Sequence, residues 1–187
     1  QQAGITWPLV VAGDGPQRAA FESEARELGV PIDVLGWIPR DAALVIGCGP
    51  VGLAVIAGLR LAGVPVILAA DYSPMRRKLA THMGATHVVD PKQQPPIDAW
   101  RAAAGPKSCV LFECVGVPGA IDQLMRIAPP QSRIVVAGVC MQDDTIRPTF
   151  GINKELNLQF VLGYTPDEFA KTLRALAEGQ IDVAPMI

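Results

Sequence analysis

Three glycines and one acid have the types and the spacing to hold a nucleotide. Gly47, Gly49 and Gly52 stand in the order G-x-G-x-x-G within Gly47-Cys48-Gly49-Pro50-Val51-Gly52, and Asp71 follows 24 residues after Gly47. The first glycine permits a tight turn, the second lets backbone approach a pyrophosphate, and the third lets a helix pack close to a strand. A helix that begins here offers free N–H groups and a partial positive charge to phosphate oxygens. A carboxylate at the position of Asp71 accepts hydrogen bonds from a ribose diol.

The flanking elements decide whether that pattern has meaning. Leu44-Val45-Ile46 reads as a buried strand, a helix runs to about Ala62, Gly63 stops it, and Val66-Ile67-Leu68 reads as a second strand that delivers Asp71. Strand, turn, helix, strand and acid occur in the order that dinucleotide binding requires. The alternative is a glycine-rich turn that serves packing alone. Ala42 to Leu59 carries no charge over 18 residues, but its four glycines and one proline make it a buried strand and helix rather than a membrane span.

With 187 residues, 50% of them hydrophobic, the chain is long enough for one substantial core, and a sheet buried on both faces suits that composition. A net charge of −2 points away from nucleic acid and from an anionic membrane surface. No charged-then-apolar leader is present, so a cytoplasmic location is expected. Cys48, Cys109, Cys114 and Cys140 form no C-x-x-C pair and read as buried free thiols. With His82 and His87 the only histidines, no zinc spacing occurs and no zinc is expected.

Residues 1–40 read as a βαβ unit of their own. Leu9 to Ala12 forms a strand, Gly13-Asp14-Gly15-Pro16 a turn, Pro16 to Leu28 a helix, and Ile32 to Trp37 a second strand. The GDGP turn is a poor phosphate loop, because Arg18 occupies the third glycine position and Asp33 lies at the start of its strand. WPLVVAGDGPQRAAFESEARELGV and VLGWIPRD resemble a fragment of the C-terminal domain of glycosyltransferase family four. The family pattern stops after Asp41, so no donor-sugar site is implied.

From Asp41 to near the end, LVIGCGPVGL, DYSPMRRKLA, GATHVVD, LFECVG, RIVVAGV and FAKTLRALAEGQIDV resemble the NAD-binding domain of the zinc-type medium-chain alcohol dehydrogenases. Two unrelated resemblances meeting within a few residues suggest a recombined or engineered chain. The elements after Asp71 alternate: helix Pro74–Met83, strand Thr86–Val89, loop Pro91–Pro96, helix Ile97–Ala104, strand Cys109–Val115, helix Gly119–Ala128, strand Ile134–Val139, loop Asp143–Asn153, strand Leu156–Leu162 and helix Asp167–Glu178 with Phe169, Leu173 and Leu176 inward. That alternation specifies an α/β fold, a doubly wound Rossmann-type parallel sheet with the βαβ segment as an N-terminal appendage. Too few residues separate Trp37 from Ala43 for a parallel crossover, so the strand at 32–37 must turn back as a hairpin or leave the sheet.

The resemblance implies a cofactor site made of Gly47, Gly49, Pro50, Val51, Gly52, Asp71, Tyr72 and Arg76, with Cys114, Val115 and Gly116 beside the adenosine half and Ala137, Gly138 and Val139 beside the nicotinamide. Val115 and Val139 have core packing as their alternative reading, and Phe160 and Leu162 offer backbone groups to the carboxamide. NAD is favoured over NADP, because a carboxylate at Asp71 repels a 2′-phosphate. Arg76 and Arg77 oppose that preference, although Arg77 and Lys78 also read as a solvated helix face. In the relatives the zinc ligands and proton relay lie largely in a separate domain that residues 1–40 do not resemble. Three functions therefore remain: an NAD(H)-binding domain inactive alone, an active NAD-dependent oxidoreductase with a substrate site from elsewhere, or a structural chimera without cofactor function. A homodimer through the strand at 156–162, or by exchange of residues 1–40, is the expected partner arrangement. His82 and His87 lie away from the ligand-binding edge.

Overall fold

The structure is a computed structural model that describes residues 9–12, 18–28, 32–36 and 42–186. The GDGP turn, Trp37 and the junction at 37–41 lie outside the described residues. The chain divides into two compact units, residues 1–38 and 39–187.

In the first unit, β1 (Leu9–Ala12) and β2 (Ile32–Gly36) flank helix α1 (Arg18–Glu27). They pair in parallel, from Leu9 opposite Ile32 onward, with an irregularity between Val11 and Ala12. Strand β2 thus pairs within its own two-stranded sheet and outside the larger one.

The second unit alternates β3 (Ala42–Ile46), α2 (Pro50–Leu61), β4 (Val66–Ala70), α3 (Pro74–Met83), β5 (His87–Val89), α4 (Pro96–Ala104), β6 (Val110–Glu113), α5 (Ala120–Ile127), β7 (Arg133–Val136), α6 (Pro148–Lys154), β8 (Asn157–Phe160) and α7 (Pro166–Ala177). Every pairing is parallel, and the strand order is β5-β4-β3-β6-β7-β8. The first strand of this unit is central, and the order reverses direction at the β3–β6 boundary. Open α/β sheets bind ligands in the crevice at that switch point.

Alternation along the strands divides the core. Ala42, Leu44, Leu68, Leu111 and Ile134 face α4 and α5, where Trp100, Leu124 and Met125 are buried. Ala43, Val45, Ile67 and Ala69 face the other way, against Leu53, Ile56 and Met83 of α2 and α3. Apolar side chains at successive strand positions are what a parallel sheet covered on both faces requires. Local signals set the helix ends. Pro50 and Pro74 occupy first turns, Ser73 accepts from the Arg76 N–H, and Gly84 ends α3 in the left-handed region.

Three readings need correction. The stretch 143–153 is not wholly loop, because α6 forms behind Pro148 and packs Phe150 against the first core cluster. Strands β6 and β7 end at Glu113 and Val136, short of Val115 and Val139, since the Glu113 carbonyl accepts from both Ala137 and Gly138 N–H and closes the ladder. On α7, Ala175 is buried while Phe169 (55% exposed) and Leu173 (57%) face outward; Leu176 is half-buried. The Tyr164 ring stacks against Phe169, with centroids 5.7 Å apart.

Candidate functional site: a crevice at the carboxyl edge of the sheet

The turn after β3 is shaped by what its glycines omit. Gly47 adopts φ +91°, and a Cβ there would lie 2.8 Å from Val115 Cγ2. A Cβ on Gly52 would lie 1.9 Å from the Gly47 carbonyl oxygen, a backbone atom that cannot step aside. The start of α2 is therefore pressed directly onto the turn. Around Gly49 the space is open, with nothing within 4 Å of an added Cβ. Gly49 brings no capping side chain and Pro50 has no N–H, so Val51 and Gly52 carry the donors of the first turn. This is a cradle that fits an anion.

Asp71 follows β4 and is 8% exposed. Its Oδ2 accepts from the Cys48 N–H at 2.8 Å and its Oδ1 from the Ser73 N–H at 2.8 Å. One side chain thus ties the glycine turn to the start of α3. Each carboxylate oxygen keeps a second acceptor site that a ribose hydroxyl can use.

The two arginines after it have separate positions. Arg77 does not lie on a solvated helix face: its guanidinium donates to the carbonyls of Asp71 (2.7 Å) and Tyr72 (2.9 Å) and pairs with Asp90 at 3.2 Å. Arg76 is largely exposed, with its Nη1 3.8 Å from Asp71 Oδ2. Tyr72 is exposed beside Lys92, whose Nζ lies 5.7 Å from the ring centroid.

The remaining expected residues converge on the same edge. Val115 and Val139 are exposed, which removes core packing as their explanation. Gly116 and Gly138 touch, since a Cβ on Gly138 would lie 2.4 Å from the Gly116 nitrogen. Pro50 and Val51 are exposed and Ala137 is half-buried. Cys114 is buried under the turn, so its side chain belongs to the core and only its backbone lies near the edge. The two histidines lie elsewhere: His82 pairs with Asp182 at 3.2 Å, and His87 opens β5 at the opposite edge of the sheet.

Glu113 was not expected here. It is 1% exposed at the end of β6, and its Oε1 accepts from the Val115 and Gly116 N–H groups at 2.7 and 2.9 Å. The available signal was a lone acid in the apolar run Val110-Leu111-Phe112-Glu113-Cys114-Val115. A charge in a buried strand needs partners, and those partners mark a structured turn.

The buried thiols are held neutral. Burial, and secondarily the Asp71 charge, pushes the Cys48 thiol up to about 12; burial and then Glu113 do the same to Cys114, also to about 12. Burial raises Cys109 as well. The unfolded chain sheds these protons first, so folding stability is intact below about pH 9 and is lost as pH rises from there toward the folded-state values. Native alkylation at pH 8 is expected to modify Cys140 alone, with all four thiols reacting after denaturation. Rapid labelling of Cys48 or Cys114 in the folded protein would contradict this arrangement.

Comparison with known proteins agrees with this geometry. A family model described as zinc-binding dehydrogenase matches residues 50–178. The chain is 32% identical over 148 residues to (R,R)-butanediol dehydrogenase of Bacillus subtilis, covering 79% of this chain and 42% of that protein. It is 29% identical over 177 residues to L-threonine 3-dehydrogenase of Thermococcus kodakarensis, covering 92% of this chain and 50% of the relative. The crystal structure of the Bacillus subtilis butanediol dehydrogenase superposes with a TM-score of 0.68 at 31% identity, over 78% of this chain and 42% of that one. The chain therefore spans half or less of the length of these relatives. A glycine turn sealed by Gly52, an acid tied to it, a six-stranded order reversing beside it and a family match over most of this unit lead to one conclusion: the chain belongs to the zinc-binding dehydrogenase family.

Proposed function

We propose that residues 42–186 bind a nicotinamide dinucleotide, NAD(H) in preference to NADP(H), and serve as the cofactor half of a hydride-transfer oxidoreductase. The observation that carries this is the 2.8 Å bond from the Cys48 N–H to Asp71 Oδ2. It ties the turn proposed to face the phosphates to the acid proposed to face the ribose, so that one ligand could meet both. The bound group would supply hydride chemistry, while the chain's own residues bind and orient it: Val51 and Gly52 N–H groups toward the pyrophosphate, Asp71 toward the adenosine ribose, and the 115–116 and 137–139 turns along the remainder. Arg77 is committed to carbonyls and Asp90, leaving Arg76 as the nearby cation for a 2′-phosphate.

Among the described residues no group of three metal-ligating side chains occurs, and no helix is long and apolar enough to cross a membrane. The edge strand β8, followed by exposed Val161 and Leu162, is the surface on which we place a second copy of the chain. For residues 1–40 the reading is a βαβ piece resembling a glycosyltransferase fragment, with no ligand assigned. Titration with NADH, followed by its fluorescence, is expected to saturate at micromolar to millimolar concentration. A folded protein that shows no binding at millimolar NADH removes the proposal, and a strictly monomeric mass in solution removes the second copy.

A further inference from the structure

A cleft of about 390 Å³ opens at the carboxyl ends of β6 and β7, and its wall includes Val139, Phe160 and Ile121. Among the described residues two charged side chains line it, Glu113 and Asp144, and both are acids. The Oε1 atom of Glu113 is held by two N–H groups, while Oε2 lies 2.6 Å from the point where a side chain on Gly138 would begin. Asp144 Oδ1 accepts from the Gly119 N–H at 2.7 Å and the Thr145 N–H at 2.8 Å. Its Oδ2 is buried and has no hydrogen-bond partner. A buried carboxylate oxygen without a donor is costly, and the cost falls when positive charge comes near.

Two cations close to this end of the sheet, Arg147 and Lys154, are engaged elsewhere. Arg147 is bound to the Asp122 carboxylate through both its Nε and Nη2. Lys154 donates to the carbonyls of Met125, Arg126 and Ala128 at the end of α5. The cleft is thus an apolar-walled recess with negative charge on one side and, among the described residues, no positive side chain in its lining. Its complement is a flat cation with apolar faces. The oxidised nicotinamide ring carries that charge, and the reduced ring is neutral.

We propose that Glu113 and Asp144 bias the nicotinamide end of the crevice toward the oxidised cofactor. The inference rests on the dinucleotide reading above and specifies the redox form that this end favours. Glu113 also acts as a positioning residue, because its carboxylate holds the 115–116 turn and its carbonyl holds Ala137 and Gly138. Binding the oxidised form more tightly lowers the reduction potential of the bound couple and eases release of the reduced form after substrate oxidation.

The test measures dissociation constants for NAD⁺ by calorimetry and for NADH by fluorescence, at one ionic strength, in the full chain and in Glu113→Gln and Asp144→Asn. Each substitution keeps the shape and removes one charge. The expected result is a loss of NAD⁺ affinity of about three- to tenfold beyond any change for NADH. A purely structural role would weaken both forms equally, and an unchanged NAD⁺-to-NADH ratio in both variants overturns the inference while leaving cofactor binding in place. If the unsubstituted chain binds neither form, the dinucleotide reading falls and takes this one with it. Should Glu113→Gln lose its circular dichroism signature, Asp144→Asn decides alone.

Discussion

Gly52→Ala is expected to weaken dinucleotide binding about a hundredfold and to destabilise the fold by about 1–3 kcal/mol. The added methyl would begin 1.9 Å from the Gly47 carbonyl oxygen, so either α2 or the turn must move. Overpacking against backbone costs an amount of this order, since no side-chain rotamer can relieve it. The movement displaces the Val51 and Gly52 N–H groups from their shared aim. Two hydrogen bonds to a charged phosphate, at about 1.5 kcal/mol each, correspond to about two decades in affinity. Two controls separate the causes. Gly49→Ala meets open space, so it should leave stability unchanged and still obstruct the pyrophosphate. Gly58→Ala lies on the same helix with nothing within 4 Å, and should stabilise α2 by about 0.5–1 kcal/mol without touching binding. Thermal melts and NADH titration of the three variants provide the check. If Gly52→Ala binds as tightly as the unsubstituted chain, the cradle is not where the phosphates go.

Much of this site was legible because its chemistry is written in backbone requirements. A glycine at position 47, and another where α2 meets the turn, follow from contacts that no other residue permits. The acid after β4 follows from strand length, and strands β3 to β5 and helix α3 follow from apolar runs with clear breakers between them. What escaped was decided by partners distant in sequence. Glu113 stands in an apolar strand, yet its carboxylate organises the 115–116 turn and its carbonyl the 137–138 turn through bonds that sequence spacing does not display. Arg77 looked like a solvent-facing residue of α3, but its reach back to Asp71 and across to Asp90 depends on β4 and β5 lying side by side. In helix α6, Gly151 and Asn153 weaken the helical propensity, and Phe150 packing against the core compensates. On α7 the periodicity of Phe169, Leu173 and Leu176 is sound for a helix, but periodicity gives a face and says nothing of what covers it.

Asp71→Asn is expected to lower NAD affinity about tenfold while leaving NADP affinity unchanged or raised. The carboxylate has two separable tasks here. As an acceptor it ties Cys48 and Ser73 N–H groups at 2.8 Å each, and an asparagine oxygen can retain one of those bonds. As a charge it attracts a ribose hydroxyl and repels a 2′-phosphate, and asparagine removes that entirely. Losing one charge-assisted hydrogen bond accounts for about 1.5 kcal/mol, or about one decade, against NAD. For NADP the same change lifts a repulsion and frees Arg76, now 3.8 Å from Asp71 Oδ2, to face the phosphate. Adding Arg76→Ala to Asp71→Asn should then cancel the NADP gain and leave NAD where the single variant put it. Arg77→Ala is a different case, because its guanidinium is bound to two carbonyls and Asp90; its loss should loosen the Asp71 backbone and weaken both cofactors alike. The discriminating quantity is the NAD-to-NADP ratio of dissociation constants. Equal weakening of both cofactors by Asp71→Asn would show that the acid acts only through the turn it braces, and that ribose selectivity is set by some other group.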